Sequence, residues 1–215
     1  MRATAVMLLL LLAAMVLVAG CPQQQVVEEE GPIAPPEEVQ PTPEEGEPAA
    51  AVGEFAWTET PSLDAIPEGN ITGMINGEPF AAQTVRLRQD GEQTRLEISN
   101  VSVDGPTGLT MDDTGVDLKF TLTPGQPGEF VIAMEDEKDI GTRWATYNYP
   151  LPDDGGPMTE NPSWACALQI TEWTLEAAEE NEDILGNAKG KVAITFDDEE
   201  KSWVAGTFEG VYYKW

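Results

Sequence analysis

Asn70-Ile71-Thr72-Gly73-Met74-Ile75-Asn76-Gly77-Glu78-Pro79-Phe80 reads as a strand, a two-residue turn and a second strand. Asn-Gly suits that turn because both central residues must take positive φ. Fourteen residues after Asn76, Asp90-Gly91 repeats the signal. Around it, Val85 and Leu87 alternate with Arg86 and Arg88, and Leu96 and Ile98 alternate with Arg95 and Glu97. A period of two is that of a half-buried strand. The segment therefore predicts a meander of antiparallel strands over residues 70–75, 80–88 and 95–101.

The same grammar continues to the end of the chain. Val116, Leu118, Phe120 and Leu122 alternate, a Pro-Gly turn covers residues 124–128, and short β runs occupy 130–134, 143–149 and 164–175. Residues 191–196 and 203–213 form a closing hairpin around Asp197-Asp198-Glu199-Glu200. One helix is predicted, over 175–185, capped by Thr174 and stopped by Gly186. The expected fold is all-β: an antiparallel β-sandwich or a closed up-and-down β-barrel-like domain, with at most one short surface helix.

Upstream, the chain opens Met1-Arg2 and runs almost entirely apolar to Val18-Ala19-Gly20-Cys21. That run is at or below the roughly 20 residues a spanning helix needs and has the charge and apolar layout of a secretory signal. Small residues directly before a cysteine resemble the lipobox of bacterial lipoproteins. The resemblance implies that residues 1–20 are a signal peptide and that Cys21 is the lipidated first mature residue. Several acyl chains on one residue hold a chain durably to a bilayer. Pro22 lacks the acidic character associated with inner-membrane retention, which favours the outer membrane or cell surface. Gly73-Met74-Ile75-Asn76-Gly77-Glu78-Pro79-Phe80 and Gly206-Thr207-Phe208-Glu209-Gly210-Val211-Tyr212 resemble the opening and closing strands of small all-β envelope lipoproteins. This second resemblance implies a closed sheet in which first and last strands are neighbours, and it carries over no functional residue.

Residues 21–62 are expected to be a disordered linker and residues 63–215 the folded domain. The linker combines Glu28-Glu29-Glu30, Pro35-Pro36-Glu37-Glu38 and Pro41-Thr42-Pro43-Glu44-Glu45, a composition with too little apolar surface to offset chain entropy. Within it, Phe55 and Trp57 stand out; they either dock on the domain or form a first strand. The formal net charge of the whole chain is -28. Binding to nucleic acid or anionic headgroups needs Lys and Arg and is not expected, whereas solubility, weak cation accumulation or a basic partner is favoured. Cys166 sits among apolar neighbours and reads as a small hydrophobe. The chain has no histidine, which removes Ser-His-Asp, Cys-His and histidine-metal chemistry together.

Two features remain for a site. Trp144, Tyr147 and Tyr149, beside a long irregular loop over 150–162, are the candidate platform for a protein, peptide or glycan; the plain alternative is that they are core. Asp112, Asp113 and Asp117, and Asp153 and Asp154 with Glu160, are acidic clusters whose oxygens suit Ca2+. Neither has the spaced ligand ladder of a calcium loop, so solvated polar loops are the alternative. The reading is a monomeric, membrane-anchored extracytoplasmic lipoprotein with a non-catalytic binding or envelope-structural role. The runners-up are a carboxylate-dependent glycoside hydrolase and an acidic cation-binding surface protein. Charge on both strand faces, at Arg86, Arg88, Glu97 and Lys119, sets a spanning barrel aside.

Overall fold

A computed structural model describes residues 55–102, 113–135, 141–151, 156–176 and 183–214. Among these, eleven strands share one sheet. They are β1 (Thr72–Ile75), β2 (Glu78–Ala81), β3 (Thr84–Asp90), β4 (Gln93–Ser99), β5 (Gly115–Phe120), β6 (Gly128–Glu135), β7 (Trp144–Pro150), β8 (Pro157–Glu160), β9 (Trp164–Leu175), β10 (Ile184–Phe196) and β11 (Trp203–Tyr213). A single 3-10 turn covers Leu63–Ala65. The all-β expectation holds. Asn76 (φ 50°) and Gly77 (φ 77°) make the two-residue turn of the β1–β2 hairpin, with Ile75 opposite Glu78.

Nine strands form a continuous curled half-barrel in the order β6-β9-β10-β11-β3-β4-β5-β7-β8. Pairing is antiparallel except where β11 meets β3. β11 changes neighbours along its length: Trp203–Ala205 pair with β1, and Val211–Tyr213 with β3. First and last strands are thus adjacent. Gly206 sits at this divergence with φ 152°, where a Cβ would come 2.6 Å from the Ile71 Cα. No side chain fits there.

Cross-strand rows explain the core. Leu87, Leu96, Leu118 and Ala145 stand in register across β3, β4, β5 and β7, as do Val85, Ile98, Val116 and Tyr147. Most of these are buried in one cluster with Phe120, Trp164, Leu168, Ile194 and Phe196. The alternation marks this inner face because successive side chains leave a strand on opposite sides. β9 keeps its apolar residues inward by a bulge: Gly190 pairs Ile170 while Lys189 pairs Glu172, leaving Thr171 extra. The inward series therefore jumps from Ile170 to Trp173, and Glu172 stays outside.

The outer face carries a second, smaller core. Ala167, Ala193 and Ala205 stand in one row across β9, β10 and β11, and their small side chains leave room for Phe55, Ile66 and Trp203 to pack over them. Residues 55–66 are a strap rather than a strand. Phe55 meets Trp203 at 5.2 Å between ring centroids, Trp57 Nε1 donates to the Phe196 carbonyl at 2.7 Å, and Lys191 Nζ donates to the Leu63 carbonyl at 2.8 Å. Among the described residues, those from Phe55 onward are thus already packed on the sheet.

Three expectations are corrected. The predicted helix has strand at both described ends, Leu175 closing β9 and Ile184 opening β10, and Thr174 Oγ1 bonds the Asn187 carbonyl across the strands; residues 177–182 lie outside the described residues. Gly186 belongs to β10, at a register shift. The loop expected over 150–162 contains β8, paired to β7.

Candidate binding site

The three aromatic candidates lie on β7, but alternation divides them. Trp144 faces outward beneath the Arg95 guanidinium, 5.0 Å from its ring centroid. Tyr147 and Tyr149 face inward and stack at 5.9 Å. A platform joining Trp144 to Tyr147 therefore does not exist, because an odd spacing on a strand places two side chains on opposite faces. Tyr147 is itself core, 2 % exposed and edge-on to Phe196 at 4.9 Å. Its hydroxyl reaches Asp198 in the turn between β10 and β11.

That hydroxyl organises one end of the molecule. Tyr147 Oη donates to Asp198 Oδ2 at 2.6 Å, the Ser202 amide donates to Asp198 Oδ1 at 2.7 Å, and the Asn76 amide donates to Ser202 Oγ at 2.9 Å. Both Asp198 oxygens are thereby fixed, and the β1–β2 and β10–β11 turns are tied together. Burial, then the bond to Asp198, holds the Tyr147 phenol above its ordinary range. The Tyr149 phenol is raised too, by burial first and then by Glu160 and Asp198. Both remain neutral donors at physiological pH.

Two clefts meet at Asn76. One, of about 450 Å³, has Pro79, Tyr149, Pro150 and Leu151 on its walls. The other, of about 410 Å³, is lined by Tyr147, Glu160, Asn161 and the Asp198-Glu199-Glu200 turn. Asn76 thus lines both a mixed cleft, in which Glu78, Asn100 and Thr114 accompany Tyr149, and an acidic one. The nearby base, Lys201, pairs with Asp197 and lies 4.3 Å over the Trp57 ring.

Of the acidic clusters read as metal ligands, Asp113, Asp117 and Glu160 are among the described residues. Asp117 is on β5, doubly bonded to the Arg95 guanidinium. The Asp113 carbonyl accepts from Asn148 Nδ2. Asp112, Asp153 and Asp154, like Cys21, lie outside the described residues. Among the described residues, no group of three or more His, Cys, Asp or Glu side chains is placed to hold a metal ion.

Sequence reasoning missed two features. The strand charges are not all on solvated faces: Arg86 and Glu97 are each 2 % exposed and 2.5 Å apart, and Glu97 also takes Arg88 at 3.2 Å. The ladder continues through Arg95–Asp117 and Lys119–Asp90. Its signal was present, since a two-residue turn after Asp90 sets Arg86 opposite Glu97. Asn76 and Asp198 were the other omission, read as turn residues and not as the floor of a cleft. Cys166 is fully buried and its thiol is pushed up by that burial, which leaves it protonated and unreactive. No protein-family model, curated protein or solved structure matches this chain, so the functional reading stands on geometry.

Proposed function

We propose that this chain is a non-catalytic binding protein of the cell envelope, held outside the cytoplasm by acyl chains on Cys21, that captures a cationic segment of a partner protein at the Asn76 clefts. The supporting observation is the residue the two clefts share: Asn76 lines one with Pro79, Tyr149 and Leu151 and the other with Glu160, Glu199 and Glu200. An apolar or aromatic residue of the partner fits the first, and a neighbouring lysine or arginine the second. Asp198 is pre-oriented by its two hydrogen bonds, so the site needs little ordering on binding. The lipobox-like end of the leader supports the anchor, and the linker supplies reach, roughly 35 Å as a flexible coil.

Calorimetric titration of the full chain with a Lys-Leu repeat peptide tests the site. Saturable binding that is lost in Tyr149→Ala and weakened in Glu199→Gln/Glu200→Gln is expected. Binding of a neutral glycan panel instead would replace the cationic partner with a sugar. Metabolic labelling with a tagged fatty acid tests the anchor: label on the wild-type chain and none on Cys21→Ser is expected, and an unlabelled wild-type chain overturns it.

A further inference from the structure

Three strands end the sheet on a side that pairs with nothing among the described residues: β2, β8 and β6. Two are blunted. β2 and β8 are four residues each and carry Pro79 and Pro157. Proline removes a ladder donor, and a short strand offers little to template on; both devices close an edge to other chains. β6 has neither. It is eight residues, Gly128-Glu129-Phe130-Val131-Ile132-Ala133-Met134-Glu135, with no proline, lysine or arginine. A bulge against β9 between Ile132 and Glu135 confines its regular part to residues 128–132.

The outer side of β6 continues an interface already filled. The row Ala167, Ala193, Ala205 beneath the strap runs on in register to Val131. The strap stops short of it, leaving Val131 58 % exposed. Beside Val131 on the same face, Glu129 is exposed and accepts from Gln169 Nε2 at 2.9 Å.

We propose that the β6 edge is a strand-addition site, where an extended cationic segment of a partner protein pairs with residues 128–132 and enlarges the sheet. Main-chain hydrogen bonds supply affinity in this mode, and alternate side chains supply specificity. The added strand carries lysine or arginine opposite Glu129 and a β-branched or aromatic residue opposite Val131. The side chain between them falls on the inner face beside Phe130 and Ile132, and is apolar. A second copy of this chain is the wrong occupant, because chains of formal charge -28 repel one another.

The site is separate from the Asn76 clefts, and its test separates them. The probe is the acetylated, amidated pentapeptide Thr-Val-Val-Lys-Thr, which in antiparallel register sets Lys opposite Glu129 and Val opposite Val131, with a counterpart N-methylated at alternate amides. Titrated into the full chain, followed by backbone-amide NMR, the parent is expected to shift residues 128–132. Affinity should fall at least about tenfold on N-methylation and in Val131→Lys, and be unchanged in Tyr149→Ala. Absence of binding, binding indifferent to N-methylation or to Val131→Lys, or shifts centred on Tyr149 each overturn the proposal. So does self-association of the free chain that Val131→Lys abolishes, which would make a second copy the occupant.

Discussion

Glu97 is buried among arginines of β3 and β4. Its carboxylate is 2 % exposed and shared between Arg86 at 2.5 Å and Arg88 at 3.2 Å. A buried carboxylate is costly alone and is tolerated because guanidinium donors surround it. Glu97→Gln keeps the volume and deprives both arginines of the charge they share. A loss of about 3 kcal/mol is expected, read from the urea midpoint at unchanged slope. One strand over, Asp117 is pushed up to about 6, by burial first, with the Arg95 bond and charge pulling the other way. The folded form then keeps a proton between about pH 4 and 6 that the unfolded chain has released, so stability falls as pH rises through that window. Asp117→Asn should flatten this slope in urea titrations at a series of pH values, whatever it does to the absolute stability.

Among the elements, the strap has the clearest consequence. It binds through Phe55 on Trp203, the Trp57–Phe196 hydrogen bond and Ile66 over the alanine row, all on one outer face. Removing it uncovers Ala167, Ala193 and Ala205 together. A chain beginning at residue 67 should unfold at clearly lower urea than one beginning at residue 55, and Phe55→Ala alone should cost about 3 kcal/mol. Equal midpoints for the two truncations would show that the strap adds nothing to the fold. β9 illustrates how an element escapes its own pattern. Ile170, Glu172 and Thr174 share a phase in sequence, and only the bulge at Thr171 returns Trp173 to the interior. The Glu-rich stretch after Leu175 was legible as helix because its composition favours one; Leu185, accepting from the Glu176 amide, instead extends the β9–β10 ladder.

For the whole molecule, the governing quantity is the formal charge of -28. Self-repulsion of this size weakens the compact state and is screened within about 10 Å at 0.1 M salt. Denaturant midpoints should therefore rise with moderate sodium chloride, while affinity for the Lys-Leu peptide should fall over the same range. A peptide affinity indifferent to salt would point to apolar capture alone. Both proposed contact surfaces belong to an open sheet. The clefts sit at an end of the half-barrel, and the β6 edge exists because the nine-strand path does not close back on itself among the described residues.

The strands, their turns and the inner face were local properties. Alternation at Val85-Arg86-Leu87-Arg88 and positive φ at Asn76-Gly77 act within a few residues, so the sequence by itself determined them. Hairpin partners followed from the turns, but the other long-range pairings did not. The parallel seam of β11 on β3, the strap over the alanine row and the meeting of Asn76, Tyr147 and Asp198 join segments more than fifty residues apart. Such contacts depend on how a twisted sheet curls and where a bulge shifts its register. No short-range pattern encodes that, and only the tertiary structure decided it.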